Sequence, residues 1–122
     1  MPAATKNFDV FKNEDWGFSG RLQKPDSSFY DLAGSTMRMQ VRPTEESSEI
    51  IIELNQTNGR LVFSAHPGDA GGVLSVWSII VDKSILRQLP SGVFVYDNVW
   101  SRGTNDRRWL AGTVTISEGA TR

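Results

Sequence analysis

Apolar and polar residues alternate with a period of two along most of this chain. Trp16, Phe18, Gly20 and Leu22 share one face of a predicted strand over 15–23, with Gly20 a bulge or a point of close backbone approach. Met37, Met39 and Val41 alternate with Arg38, Gln40 and Arg42 until Pro43 ends the run. Ile50, Ile52 and Leu54 point one way and Ile51 and Glu53 the other. Further strands are predicted at 8–11, 60–64, 73–81, 92–101 and 107–117. Turn signals separate them: Pro25-Asp26-Ser27-Ser28, an acidic loop over 44–48, Asn58-Gly59, the glycine-rich run 66–72, and 103–106. About eight short strands with turns roughly every 10 residues predict an all-β sandwich, with a closed barrel as the alternative.

The segment 82–96 narrows the architecture. A helical turn near 82–88 runs into Leu89-Pro90-Ser91-Gly92 and then into a strand carrying Phe94 and Tyr96. Leu89 is expected to plug the core, Pro90 to stop the helix, and Gly92 to supply the backbone freedom at the bend. This is how a chain crosses between sheets in an immunoglobulin-like antiparallel sandwich, where an aromatic near the start of the returning strand packs under the corner. Phe94 stands nearest the usual tyrosine, so the corner hydroxyl bond is expected to be absent or to come from Tyr96. An ordinary helix-to-strand loop in an α+β fold is the competing reading.

Length and composition remove several function classes. The 122 residues suffice for one domain and one core: an arm over 1–7, a sandwich over 8–117 and a tail over 118–122. Thirteen basic against 14 acidic residues leave a net charge of −1, which disfavours nucleic-acid binding. With no cysteine, disulfides, thiolate metal sites and cysteine nucleophiles are excluded. No run approaches the ~20 apolar residues of a membrane helix, and the first residues carry no apolar export segment, so a soluble chain is expected.

Candidate catalytic groups are sparse. His66 is the single histidine and sits in a loop before Pro67. Glu45, Glu46, Glu49 and Asp69 are read as solvated loop charge in preference to a glycosidase pair. The run 68–72 lacks the Gly-Lys-Ser/Thr ending of a phosphate loop and reads as a mobile hairpin tip. Asp82, Asp97 and Asp106 lack calcium-loop spacing. No catalytic residue, metal or cofactor is expected.

The tryptophans are more informative. Trp16 is expected in the core, and Trp77 off the face made by Leu74, Val76 and Ile80. Trp100 and Trp109 flank the 103–106 turn, in phase with Phe94, Tyr96 and Asn98 and with Ala111, Thr113 and Thr115 respectively. Three readings stand for that hairpin: aromatics capping the core, a protein-contact patch of Trp100, Arg102, Arg107, Arg108 and Trp109, or a sugar-stacking platform.

Taken together, Asp15-Trp16-x-Phe18, the run Asp31-Leu32-Ala33-Gly34-Ser35-Thr36 into Met39-Gln40-Val41-Arg42, the Leu-Pro-x-Gly corner, and Gly112-Thr113-Val114-Thr115 form an ordered pattern. Over about 8–117 it resembles small phage and prophage virion proteins, in particular the immunoglobulin-like N-terminal domain of baseplate and tail-fibre attachment proteins of the upper-baseplate type. This chain departs from the family at Pro25-Asp26-Ser27-Ser28, where a longer glycine turn is usual, and at Asn98, where an apolar residue is usual. The resemblance implies a non-enzymatic virion subunit in a tail tip, baseplate, fibre anchor or neck. It further implies virion partners, symmetric copies, and assembly in the host cytoplasm. A carbohydrate-binding module and a capsid decoration protein are the alternatives.

Overall fold

The computed structural model describes residues 4–118. In chain order it contains β1 (Ala4–Thr5), β2 (Phe8–Phe11), β3 (Trp16–Gly20), β4 (Thr36–Arg42), β5 (Ile52–Asn55), β6 (Leu61–Ser64), β7 (Val76–Val81), α1 (Lys83–Leu86), β8 (Gly92–Arg102) and β9 (Asn105–Ser117). None of the helices described is long and apolar enough to cross a membrane.

The strands form two sheets that pack face to face. The larger runs β1-β9-β8-β4-β5, with β2 also pairing β9, and the smaller runs β3-β7-β6. In immunoglobulin lettering β3, β7 and β6 are B, E and D, while β9, β8, β4 and β5 are G, F, C and C′, the variable-type arrangement. Each sheet keeps free edges, so the fold is a sandwich and the barrel is set aside. The β5–β6 connection passes between sheets. Asn58 shapes it, its Oδ1 accepting from Asn55 N and Arg60 N at 3.1 Å each and its Nδ2 donating to the Glu53 carbonyl at 2.9 Å.

Inward residues follow the predicted alternation on most strands. Met37, Met39 and Val41 from β4, Ile52 and Leu54 from β5, and Phe94, Tyr96, Asn98 and Trp100 from β8 are buried. Ile50 lies before β5 and is exposed, so the predicted fourth strand starts later than its apolar pattern suggests. An aromatic chain joins the sheets, with Phe8 meeting Phe18 at 5.2 Å, Trp16 at 5.6 Å and Tyr96 at 5.5 Å between ring centroids. Antibody domains tie the same two layers with a disulfide between B and F. In this cysteine-free chain, edge-on and tilted rings from β2, β3 and β8 occupy the space between them.

Two core assignments differ from the sequence reading. Trp77 faces inward with Ile79 and Val81, and Ile80 is 55% exposed. Both faces of β7 are apolar, so alternation alone left its phase open. The pairing partner decides it: Gly20 lies opposite Trp77, and a Cβ at Gly20 would come within 3.0 Å of the indole Nε1. Gly20 is the predicted close-approach point, filled by the tryptophan. At the corner, Leu86 is the residue fully removed from solvent, and Leu89 is only partly buried. Asp82 caps α1, its Oδ2 accepting from Ser84 N at 2.9 Å, and this sets the turn so that Leu86 points inward.

The corner otherwise follows expectation, with Phe94 buried and Gly92 at φ 150°. The Tyr96 hydroxyl, however, donates to the Lys6 carbonyl at 2.6 Å and so ties the N-terminal segment, not the corner. Burial raises the Tyr96 pKa well above the ordinary phenol value, so it remains a donor. Residues 4–7, expected as a free arm, are docked. Ala4 and Thr5 pair in parallel with Leu110 and Ala111, Lys6 N donates to Ala111 O at 3.0 Å, and Asn7 Oδ1 accepts from Thr113 N at 3.1 Å. Residues 1–3 of the predicted arm and 119–122 of the predicted tail lie outside the described residues.

Candidate contact surfaces

The β8–β9 hairpin turns through Gly103 and Thr104, with Gly103 at φ 62°, the left-handed geometry a two-residue hairpin needs. A register shift between Asn98 and Val99 leaves Trp109 as the extra residue of a bulge on β9. This rotates Trp109 out of phase with Ala111, Thr113 and Thr115 and lays it against the core.

The five hairpin candidates therefore do not form one patch. Trp100 is 7% exposed, its Nε1 donating to Ser35 Oγ at 2.7 Å and its ring 5.0 Å from that of Tyr30. Trp109 is half-buried, 5.2 Å edge-on to Trp77, and its Nε1 donates to Asn98 Oδ1 at 3.0 Å. Asn98 is thus the buried acceptor that the displaced tryptophan requires. Arg102 closes the end of the core, its guanidinium 5.5 Å from the Trp100 ring and hydrogen-bonded to the Asp31 carbonyl. Arg107 lies in a shallow cavity of about 260 Å³ with Tyr30, Leu22 and Trp109. Arg108 alone emerges on the outer face of the larger sheet. Trp100 is buried as the core-capping reading expects, and Trp109 packs partly against the core while also lining that cavity.

That outer face holds a groove of about 300 Å³ lined by Arg38, Gln40, Arg42, Glu45, Asp97 and Arg108, with Val95 at its floor. Arg42 is held by the Gln40 amide oxygen and, at 3.1 Å, by the Ser47 carbonyl. Gln40 Nε2 donates to Glu53 Oε1 at 2.7 Å. Arg108 stands 3.8 Å from Asp97, while Arg38 has no hydrogen-bond or ion-pair partner among the described residues. The alternation Arg38, Gln40, Arg42 was visible in the sequence. The meeting with Asp97 and Arg108 depends on strand register.

The smaller sheet presents a different outer face. Gly17 and Ser19 on β3, Ser78 and Ile80 on β7, and Val62 and Ser64 on β6 point outward, and none is charged. Ser19 Oγ and Ser78 Oγ are 2.9 Å apart. The flanking Arg60 is turned away, its Nη1 donating to the Glu53 carbonyl at 3.1 Å.

Within the glycine-rich 66–72 loop, Asp69 is tied to His66 at its start and to Ser75 just past its end. Asp69, read as solvated charge, turns inward: it accepts from His66 N at 2.8 Å and Ser75 Oγ at 2.8 Å, and lies 3.6 Å from Arg21. Asp31 anchors the neighbouring turn, accepting from Leu74 N and Ala33 N at 3.0 Å each. Backbone donors, Leu74 then Ala33, hold Asp31 below the ordinary carboxylate range, and the His66 N–H followed by the Ser75 hydroxyl does so for Asp69. A depressed folded pKa contributes stability that is complete above the unfolded value and is lost as pH falls through the folded one. Melting temperature is expected to decline below about pH 4, and Asp69→Asn to lower it at neutral pH while flattening that acid decline. Thermal melts from neutral to strongly acidic pH read both effects.

His66 is exposed in its loop, with Nδ1 2.8 Å from the Pro67 carbonyl, and Glu45, Glu46 and Glu49 are exposed. Among the described residues no group of three or more His, Cys, Asp or Glu is placed to hold a metal ion. No protein-family model matches the chain, and no curated protein matches it.

Proposed function

We propose that this chain is a non-enzymatic structural subunit of a phage particle, an adaptor in the tail tip, baseplate, fibre-attachment or neck region. It acts through protein contacts in a symmetric assembly. The resemblance over 8–117 supports the particle, and the uncharged outer face of the β3-β7-β6 sheet carries the contact role. Charged residues make up 22% of the chain, yet the outward strand positions Gly17, Ser19, Val62, Ser64, Ser78 and Ile80 include none. Val62 and Ile80 on a face without charge match the depletion of charged residues at an interface centre, where burying a charge is costly. A flat sheet face with free edges at β3 and β6 docks a neighbouring subunit without large rearrangement. Repeated copies then add avidity to modest single contacts.

Ile80→Lys places a charge on the middle strand of this face, opposite Gly17, at a position that does not pack into the core. Stability is expected to change by no more than about 0.5 kcal/mol, while incorporation into particles falls at least about tenfold. Particle incorporation at the wild-type level would remove this face from the reading.

A further inference from the structure

From the charge layout of the larger sheet's outer face, we infer that this face associates with a second copy of the chain, related by a two-fold axis that lies in the face and runs across the strands. β4 carries Arg38 toward its start, beside Arg108 of β9, and leads at its other end into the exposed loop with Glu45, Glu46 and Glu49. At the Arg38 end of the groove Asp97 is paired with Arg108 and Asp106 with Ser101, so Arg38 is the guanidinium left without a partner there among the described residues. At the other, three carboxylates outnumber the single guanidinium of Arg42, which is already held by Gln40 and Ser47. Between the ends, Val93, Val95 and Val99 run along the outward side of β8, with Asp97 between the last two and paired to Arg108 at 3.8 Å, and Val93 is 64% exposed. An apolar strip within a charged rim is the anatomy of a protein contact.

The charges also choose the orientation. Two sheets facing each other with β4 parallel to its mate would set Arg38 and Arg108 against the same pair and the glutamates against glutamates. Rotation about an axis across the strands reverses the mate, so each Arg38 end meets a glutamate end, and the contact is isologous. Arg38, which has no partner among the described residues, then gains one in Glu45 or Glu46 of the mate. Four strands about 4.8 Å apart and about seven residues long give a footprint of roughly 450 Å², below the ~800 Å² per partner of a standard interface. The association is correspondingly weak and salt-sensitive. It does not rest on the particle reading, since the smaller sheet's face serves that role.

Sedimentation equilibrium on the full chain, up to about 1 mM, tests the contact. Wild type is expected to dimerise in this range and to weaken several-fold when salt rises from about 0.05 M to about 0.5 M. Arg38→Glu alone, and Glu45→Lys with Glu46→Lys, should each associate at least about tenfold more weakly than wild type. Mixed in equal amounts, the two variants should form a heterodimer, because each reversed end meets a complementary one. These are exposed positions outside the core, and thermal melts confirm that the variants fold. A wild-type chain that stays monomeric throughout, or a mixture no better associated than either variant alone, overturns the inference.

Discussion

Trp77→Ala is expected to destabilise the fold by about 3–5 kcal/mol, the range for removing a large aromatic from a packed core. Trp77 is 1% exposed, lies over Gly20, and contacts Phe18 at 5.5 Å and Trp109 at 5.2 Å between centroids. Its removal leaves a void bounded by both sheets and frees Trp109 from the ring it leans on. The indole Nε1 has no hydrogen-bond partner among the described residues, so Trp77→Phe keeps most of the packing and discards an unpaired donor. It should cost much less than alanine. Gly20→Ala reads the same contact from the opposite strand: its methyl would stand 3.0–3.2 Å from three indole atoms of a ring with little room to move, at a cost of about 1–3 kcal/mol. Urea titrations should show lower midpoints with unchanged slopes. Had Trp77 lain outside the core, alanine would cost no more than about 0.5 kcal/mol.

Gly112→Ala is expected to cost about 2–4 kcal/mol and to release the N-terminal segment from β9. A Cβ at position 112 would collide with the backbone carbonyl of Lys6 and stand 2.8 Å from Asn7 Oδ1. The Lys6 atoms are main chain, so rotamer changes do not relieve that clash. Residues 4–7 must move, and with them go the bonds from Tyr96 Oη to Lys6 O, from Lys6 N to Ala111 O, and from Thr113 N to Asn7 Oδ1. Amide hydrogen exchange separates this from general destabilisation. Protection should drop first at Lys6, while the β8–β9 ladder exchanges only with global unfolding.

The strands were legible because half-burial imposes a period of two, and the alternation put Met37, Met39 and Val41 on one face of a strand and Phe94 and Tyr96 on one face of another. The alternation failed where both faces are apolar. Leu74, Val76 and Ile80 outweighed Trp77 and Ile79 on β7, and only the glycine across from Trp77 reveals which face has room. Trp109 was misphased because a bulge is a property of two paired strands, and the register shift beside Asn98 is invisible in either alone. A buried asparagine in an otherwise aromatic run was the available signal, since it implies a donor nearby. Likewise Gly112 within Ala111-Gly112-Thr113 marked a backbone approach, which would have docked the arm. Among the contact residues, Arg108 and the β4 arginines were readable from sequence. Their convergence with Asp97 depends on strand pairing, and the uncharged face of the smaller sheet depends on the phase of β7.

The two sheets thus offer different surfaces, one uncharged and flat, the other a charged groove with opposite ends. An adaptor needs two such surfaces if it joins its own kind and also a different subunit. The rigid aromatic core, tied at the corner by Leu86 and at the N-terminal side by Tyr96, keeps their relative geometry fixed. Association then costs little ordering of the sandwich itself.

Quantitative mass spectrometry of gradient-purified phage particles tests the central claim most directly. If the proposed role holds, peptides from this chain occur at a fixed ratio to the virion subunits, corresponding to a whole number of copies compatible with the particle's symmetry. Particles that assemble fully and contain none of the chain would contradict it.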